Sequence, residues 1–130
     1  MSEVLSEVPR RALVVDDDPV MVEFVSRTLA KAGFAVESCG DGMSALSMFR
    51  AAPFDVVVAD VRMPKLSGLG FLQNLRLPQG SPYRVVLLSG MDDAKTRRDA
   101  LSAGAVAYLV KPASSQAIVD AATGQNSGTK

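Results

Sequence analysis

The sequence predicts an α/β fold in which a parallel sheet carries helices on both faces. Five short strand-like segments alternate along the chain with segments of helical periodicity. The connections between them are short and contain Gly, Pro, Asp or Ser. A repeated strand, helix and strand forms right-handed crossovers, so consecutive strands run parallel. We therefore predict one doubly wound domain for this chain of 130 residues.

The first strand and helix follow each other closely. Residues 11–16 (RALVVD) form a compact apolar run that ends on an acid. Pro19 suits the first turn of a helix, and Asp18 is favoured as its N-cap. Apolar residues then recur at helical spacing over 20–32, and the glycine at position 33 fits the end of this helix.

The second unit has a different strand pattern. Residues 34–39 (FAVESC) alternate apolar and polar side chains, which is typical of a half-exposed or edge strand. Asp41 can cap a second helix over 42–51, and Pro53 prevents that helix from continuing.

The third strand is predicted over residues 55–60, an apolar run that ends at Asp60. Its β-branched residues indicate a strand buried on both faces. Ser67 is a plausible cap for the third helix, although Gly68 and Gly70 should weaken its first turn by about 1 kcal/mol each.

The fourth strand is predicted over residues 84–89 (RVVLLS). Asp92 and Asp93 favour the start of the helix that follows. Leu101 is expected to be its main core contact before Gly104 ends it.

The fifth strand is predicted over residues 106–110, where Lys111 and the proline after it end the strand. Ser114 or Ser115 can cap a short helix whose inner face carries Ile118 and several alanines.

The strand order that suits these segments is 2-1-3-4-5, the flavodoxin-like order. It places the three most apolar strands, the first, third and fourth, in the middle of the sheet. We divide the chain into an N-terminal extension (1–10), the folded domain (11–123) and a tail expected to be disordered (124–130).

Composition narrows the classes of function. Lys and Arg balance Asp and Glu at 14 each, so no charged field indicates direct nucleic-acid or membrane binding. The single cysteine, Cys39, cannot form an internal disulfide and is interpreted as a small buried hydrophobe. No apolar run approaches the length needed to cross a bilayer, and we predict a cytoplasmic protein.

Polar side chains follow four of the strands and should line one crevice at the carboxyl edge of the sheet. They are Asp16, Asp17, Asp18, Asp60, Ser89 and Lys111. Clustered carboxylates repel one another, and Mg²⁺ is a cation that prefers such oxygen ligands. The chain has no histidine and one distant cysteine, which makes zinc improbable. Lys111 and Ser89 suit a phosphoryl group, and Asp60 is the candidate nucleophile.

Four stretches resemble the receiver domain of two-component response regulators. They are LVVDDDP (13–19), VVVADVRMP (56–64), VLLSG (86–90) and AGAVAYLVKP (103–112). Their order and spacing together are highly specific, and the resemblance extends from residue 13 to about residue 122.

The resemblance implies a role for each site residue. Asp60 corresponds to the phosphoacceptor, Asp17 to a direct metal ligand and Asp16 to a ligand acting through water. The backbone carbonyl of Arg62 would complete the protein ligands of Mg²⁺, and Lys111 would pair with the phosphoryl group. The remaining implied features are a switch formed by Ser89 and Tyr108, and a cis Lys111–Pro112 bond.

The function implied is a phosphorylation-dependent signalling switch in a phosphorelay, not a turnover enzyme, although the domain would catalyse its own phosphorylation and dephosphorylation. Because the chain contains no histidine, the phosphohistidine donor must be another molecule, a histidine kinase or a histidine phosphotransfer protein. Phosphorylation would change the face formed by the fourth helix, fifth strand and fifth helix, which a downstream partner reads. Arg62 and Met91 should lie beside the phosphoryl group and control water access.

Two alternatives stay open. One is a receiver-like protein-interaction module that works without phosphorylation. The other is a haloacid-dehalogenase-like phosphatase, which also uses a nucleophilic aspartate, although here the acidic pair at 92–93 precedes Lys111 instead of following it. The chain is expected to be either a single-domain regulator or a receiver excised from a larger protein.

Overall fold

A computed structural model of the protein describes residues 10–125. Five parallel strands form one sheet in the order β2-β1-β3-β4-β5, as the sequence predicts. In chain order, the elements are β1 (Arg11–Val15), α1 (Pro19–Lys31), β2 (Ala35–Cys39), α2 (Gly42–Ala51), β3 (Val56–Asp60), α3 (Gly68–Leu75), β4 (Arg84–Ser89), α4 (Ala94–Ser102), β5 (Ala107–Val110) and α5 (Ser115–Thr123). Within the described range, no helix combines the length and hydropathy needed to cross a membrane. Most of the N-terminal extension and of the expected tail lies outside the described residues.

The three central strands carry the core. Every residue of β3 is buried, as are all but the first residues of β1 and β4. Successive side chains of each strand point to opposite faces of the sheet, so two apolar clusters form, one on each face. By contrast, β2 is largely exposed and lies at the sheet edge, as its alternating pattern predicts. Cys39 is only partly buried there, so the expectation of a buried cysteine is too strong.

Each helix begins with a side-chain cap. Asp18 caps α1, and of the two candidate serines it is Ser114 that caps α5. The other three caps are Asp41, Ser67 and Asp93. In each case a side-chain oxygen accepts a hydrogen bond from a backbone N–H in the first turn, which has no partner within the helix. These short polar residues therefore fix where each helix starts, immediately after the site-bearing edge of the sheet.

The predicted core contact of α4 is wrong. Leu101 is 48% exposed, whereas the neighbouring Ala100 is fully buried. Consecutive helical residues point about 100° apart, so only one of this pair can face the sheet. Ala100 belongs to the apolar cluster that also contains Tyr108. A small residue therefore lies between α4 and the sheet.

The glycine that opens α3 lies against the end of β3. A Cβ atom built on Gly68 would lie 2.3 Å from the Asp60 backbone carbonyl oxygen, far inside van der Waals contact. The Gly68 N–H also donates to the Val61 carbonyl at 3.0 Å. Gly68 therefore lets α3 approach the candidate phosphoacceptor, which explains a residue that weakens the helix locally.

We expect Gly68→Ala to destabilise the protein by about 2 kcal/mol, because the added methyl group forces β3 and α3 apart. Helix propensity alone would favour alanine by about 1 kcal/mol, so the two effects have opposite signs. Urea unfolding measures the difference. Gly70→Ala is the matched control in the same helix, since its nearest contact, at 2.8 Å, is the flexible end of Leu66. A Gly68→Ala protein as stable as the wild type would contradict the close approach.

Candidate functional site

Two neighbouring strands bring the acidic residues together. Because β1 pairs in parallel with β3, with Val15 opposite Ala59, the residues that follow, Asp16 and Asp60, lie side by side. Oxygens of Asp16, Asp17 and Asp60 all lie within 4.8 Å of one another, a group able to hold a metal ion. Asp16 and Asp60 are buried, while Asp17 is exposed. The structure brings these three carboxylates together, as expected, whereas Asp18, which was expected at the same crevice, caps α1.

Lys111 reaches this cluster from the end of β5. Its Nζ lies 3.3 Å from Asp60 Oδ1 and 3.5 Å from Asp16 Oδ2. The Lys111 backbone N–H donates to the Ser89 carbonyl at 2.7 Å, which ties this position to the end of β4. The Lys111–Pro112 peptide bond is cis, in agreement with the expectation. One ammonium group thus bridges the two buried carboxylates.

The environment of Asp60 raises its pKa above the ordinary value of an aspartate. Burial is the main cause, because it penalises the charged form. The ammonium group of Lys111 acts in the opposite direction, and the carboxylate of Asp16 raises the pKa further. The surroundings of Asp60 therefore disfavour its ionised form, and a bound cation would stabilise that form.

The raised pKa predicts a pH-dependent stability difference. Asp60 binds its proton more tightly in the folded than in the unfolded state, so its ionisation costs folding free energy once the pH rises through the folded pKa. Asp60→Asn should consequently be more stable than the wild type at neutral pH. The advantage should shrink as the pH falls through the folded pKa towards the ordinary range. Urea unfolding of both proteins from the ordinary carboxyl pKa of about 4 up to about pH 7, without divalent cations, measures this advantage. A difference that stays constant over that range would contradict the pKa shift.

A cavity of about 320 Å³ opens beside Asp60. Its lining consists of Asp60, Arg62, Gly90, Met91 and Lys111. Nearby, the Ser89 hydroxyl accepts a hydrogen bond from the Met91 N–H at 3.1 Å, which leaves the hydroxyl proton available for donation. The wall of the cavity therefore carries the carboxylate of Asp60 and the ammonium group of Lys111, and the Ser89 hydroxyl lies close to it.

Arg62 and Met91 meet across the mouth of this cavity. Arg62 Nη2 lies 3.0 Å from the thioether sulfur of Met91. Both residues were expected beside the phosphoryl position, and both line the cavity. A backbone hydrogen bond from Arg62 to Asp60 favours the ionised carboxylate. The metal-binding role of the Arg62 carbonyl stays a prediction.

Tyr108 is buried on β5, with its ring in the core cluster. Its hydroxyl donates to the Met91 carbonyl at 3.0 Å, and the Arg97 guanidinium lies 4.8 Å from the ring centroid. Sequence reasoning identified Tyr108 but missed Arg97, because a basic residue on a polar helix carries no signal of an aromatic neighbour. The approach of Gly68 to Asp60 was missed for a similar reason, since spacing alone does not show contacts between elements.

Comparisons with known proteins define the class. The sequence profile of the response regulator receiver domain matches residues 12–123, and the chain belongs to that family. Receiver domains of response regulators are signalling domains, and this membership leaves the haloacid-dehalogenase-like alternative without support.

Individual relatives agree with this assignment. The "Probable transcriptional regulatory protein TcrX" of Mycobacterium tuberculosis is 42% identical over 111 residues, which cover 85% of this chain and 47% of the relative. The response regulator MprA of Mycolicibacterium vanbaalenii is 40% identical, with coverage of 80% and 45%. The chain thus spans about half the length of the curated relatives it matches.

Among solved structures, a response regulator from Burkholderia pseudomallei superposes with a TM-score of 0.76 at 30% identity, covering 86% of this chain and 65% of that one. That crystal structure contains a phosphorylated aspartic acid, a calcium ion and citrate. The Francisella response regulator 1452 receiver domain gives a TM-score of 0.79 at 30% identity, covering 88% of this chain and 93% of that one. These neighbours confirm the flavodoxin-like fold.

Proposed function

We propose that this domain is a phosphorylation-dependent switch that accepts a phosphoryl group on Asp60 from a phosphohistidine donor. The observation that best supports this proposal is the position of the Lys111 ammonium group. It lies within 3.5 Å of the buried carboxylates of Asp16 and Asp60, at the wall of an open cavity. The phosphorylated aspartate in the Burkholderia pseudomallei relative supports the same chemistry here.

The residues fit a divalent cation. Three carboxylates within 4.8 Å supply hard oxygen ligands, and the pKa of Asp60 is raised in part by Asp16. Asp17 and Asp60 would hold Mg²⁺ directly, Asp16 would act through water, and the Arg62 carbonyl would complete the protein ligands. When bound, Mg²⁺ neutralises charge on the phosphoryl oxygens. The calcium ion in the Burkholderia pseudomallei relative is consistent with this assignment.

The protein's own side chains each have a role in transfer of the phosphoryl group and in its later hydrolysis. An Asp60 carboxylate oxygen attacks phosphorus, the P–N bond to the donor imidazole breaks, and the imidazole nitrogen keeps that electron pair. Lys111 pairs with the phosphoryl oxygens, and the Ser89 hydroxyl donates to one of them. In the second half of the cycle, water attacks phosphorus, the bond from phosphorus to the Asp60 oxygen breaks, and inorganic phosphate leaves the free carboxylate. The Arg62 and Met91 side chains, which contact each other beside the cavity, would control the access of this water.

The partners follow from this chemistry. The donor is a histidine kinase or a histidine phosphotransfer protein in the cytoplasm. Ser89 and Tyr108 would act as the switch residues, the role that the resemblance to receiver domains implies, and their hydrogen bonds to Met91 beside the cavity support this role. Their rearrangement would alter the face formed by α4, β5 and α5, and a downstream protein would bind that face.

The test is to incubate the protein with acetyl phosphate and Mg²⁺ and measure its intact mass. We expect one phosphoryl group per chain, lost on treatment with hydroxylamine, as an acyl phosphate is. Titration with Mg²⁺ and beryllofluoride should also change a spectroscopic signal that reports on the surroundings of Tyr108. A protein that neither gains mass nor binds beryllofluoride would instead be a phosphorylation-independent interaction module.

A further inference from the structure

Arg97 links α4 to the buried Tyr108 in two ways. Its guanidinium carbon lies 4.8 Å from the centroid of the tyrosine ring, a cation–π arrangement, and Nη1 donates to the Tyr108 carbonyl at 3.3 Å. Nη2 forms an ion pair with Asp92 Oδ1 at 2.8 Å. One side chain of α4 thus contacts both β5 and the loop that precedes α4.

A chain of hydrogen bonds continues from Tyr108 to the phosphorylation site. The Tyr108 hydroxyl donates to the Met91 carbonyl at 3.0 Å, and the Met91 N–H donates to the Ser89 hydroxyl at 3.1 Å. We call Met91, Asp92, Arg97 and Tyr108 the Tyr108 clamp. The clamp ends at Ser89, the residue assigned to contact the phosphoryl group.

The two ends of the clamp differ in exposure. Tyr108 is 5% exposed and packs in the core, whereas the Arg97 side chain is 39% exposed. Arg97 does not line the cavity beside Asp60, whereas Met91 does, so Tyr108 and Met91 connect Arg97 to the cavity. Moving the tyrosine ring outward would break the hydroxyl bond to Met91 and release the loop that orients Ser89.

We propose that Arg97 is a positioning residue that couples α4 to the phosphoryl-binding loop. It holds Tyr108 buried, and Tyr108 in turn fixes the Met91 carbonyl and the orientation of the Ser89 hydroxyl. Asp92 acts through Arg97 by holding its guanidinium over the ring. The proposal rests on the proposed function, because the loop matters only if Ser89 meets a phosphoryl group.

The test compares Arg97→Gln with Arg98→Gln, the exposed neighbour on the same helix, which removes the same charge. In the presence of saturating Mg²⁺, beryllofluoride should bind the Arg97→Gln protein about fivefold more weakly than the wild type. Arg98→Gln should bind it like the wild type. The affinity of both variants for Mg²⁺ alone should be unchanged, because the carboxylates are untouched.

Asp92→Asn should weaken beryllofluoride binding in the same direction and add little to Arg97→Gln in the double variant. A role in stability alone would lower the urea midpoint of Arg97→Gln without changing its beryllofluoride affinity, and that result overturns the coupling. If the wild type itself fails to bind beryllofluoride, the proposed function fails and the coupling falls with it. Binding by the wild type with equal or tighter binding by Arg97→Gln overturns the coupling alone.

Discussion

Replacing Asp60 by Asn is expected to abolish phosphorylation of this protein by acetyl phosphate. The amide nitrogen is not nucleophilic and cannot form the acyl phosphate, while its size matches the buried carboxyl position at the end of β3. Incorporation should fall below detection, a loss of at least about a thousandfold on the scale of removing a covalent nucleophile. Intact-mass measurement after incubation with acetyl phosphate and Mg²⁺ gives the result.

The stability of the same variant separates chemistry from folding. We expect Asp60→Asn to be more stable than the wild type at neutral pH, because the pKa of Asp60 is raised, and urea unfolding of the variant checks that a loss of phosphorylation does not come from unfolding. Asp99→Asn is the matched control, because it removes a carboxylate from α4 that pairs with Lys95. It should be phosphorylated normally. A stable acyl phosphate on the Asp60→Asn protein would show that another carboxylate is the acceptor.

The order of the sheet could be predicted because the signals for it are local. The apolar runs of β1, β3 and β4 indicate central strands, and the alternation in β2 indicates an edge. The caps also could be predicted, since an aspartate or serine before a helical pattern has a simple physical role. The choice between Leu101 and Ala100 could not, because it depends on which side of α4 faces the sheet, and the polar pattern of this helix does not determine that.

The candidate site was predictable in part for a related reason. Parallel strands carry their carboxyl ends to one edge, so residues at strand ends meet whatever the details of packing. This places Asp16, Asp60 and Lys111 together, as the structure does. Contacts between helices and strands are different, because they depend on side-chain reach. The stacking of Arg97 on Tyr108 belongs to that second group and has no signature in residue spacing.

Lys111→Met is expected to separate metal binding from phosphoryl transfer. Its ammonium group lies 3.3 Å from Asp60 and 3.5 Å from Asp16, so it lowers the affinity of the acidic cluster for a cation. Without it, Mg²⁺ should bind more tightly. The phosphoryl oxygens would meanwhile lose their charged partner, and the rate of phosphorylation by acetyl phosphate should fall about a hundredfold. Titration with Mg²⁺ and a time course of intact mass measure the two effects.

Lys111→Met is expected to change the affinity for Mg²⁺ and the rate of phosphorylation in opposite directions. A variant that merely disturbed the site would bind Mg²⁺ more weakly and also react more slowly, whereas loss of one compensating charge improves the first property and damages the second. Lys95→Met is the control, because it removes an equal charge from an exposed ion pair on α4, and it should leave both properties unchanged. Weaker Mg²⁺ binding by Lys111→Met would mean that the lysine organises the carboxylates instead of competing with the metal. An unchanged transfer rate would mean that the ammonium group does not contact the phosphoryl oxygens.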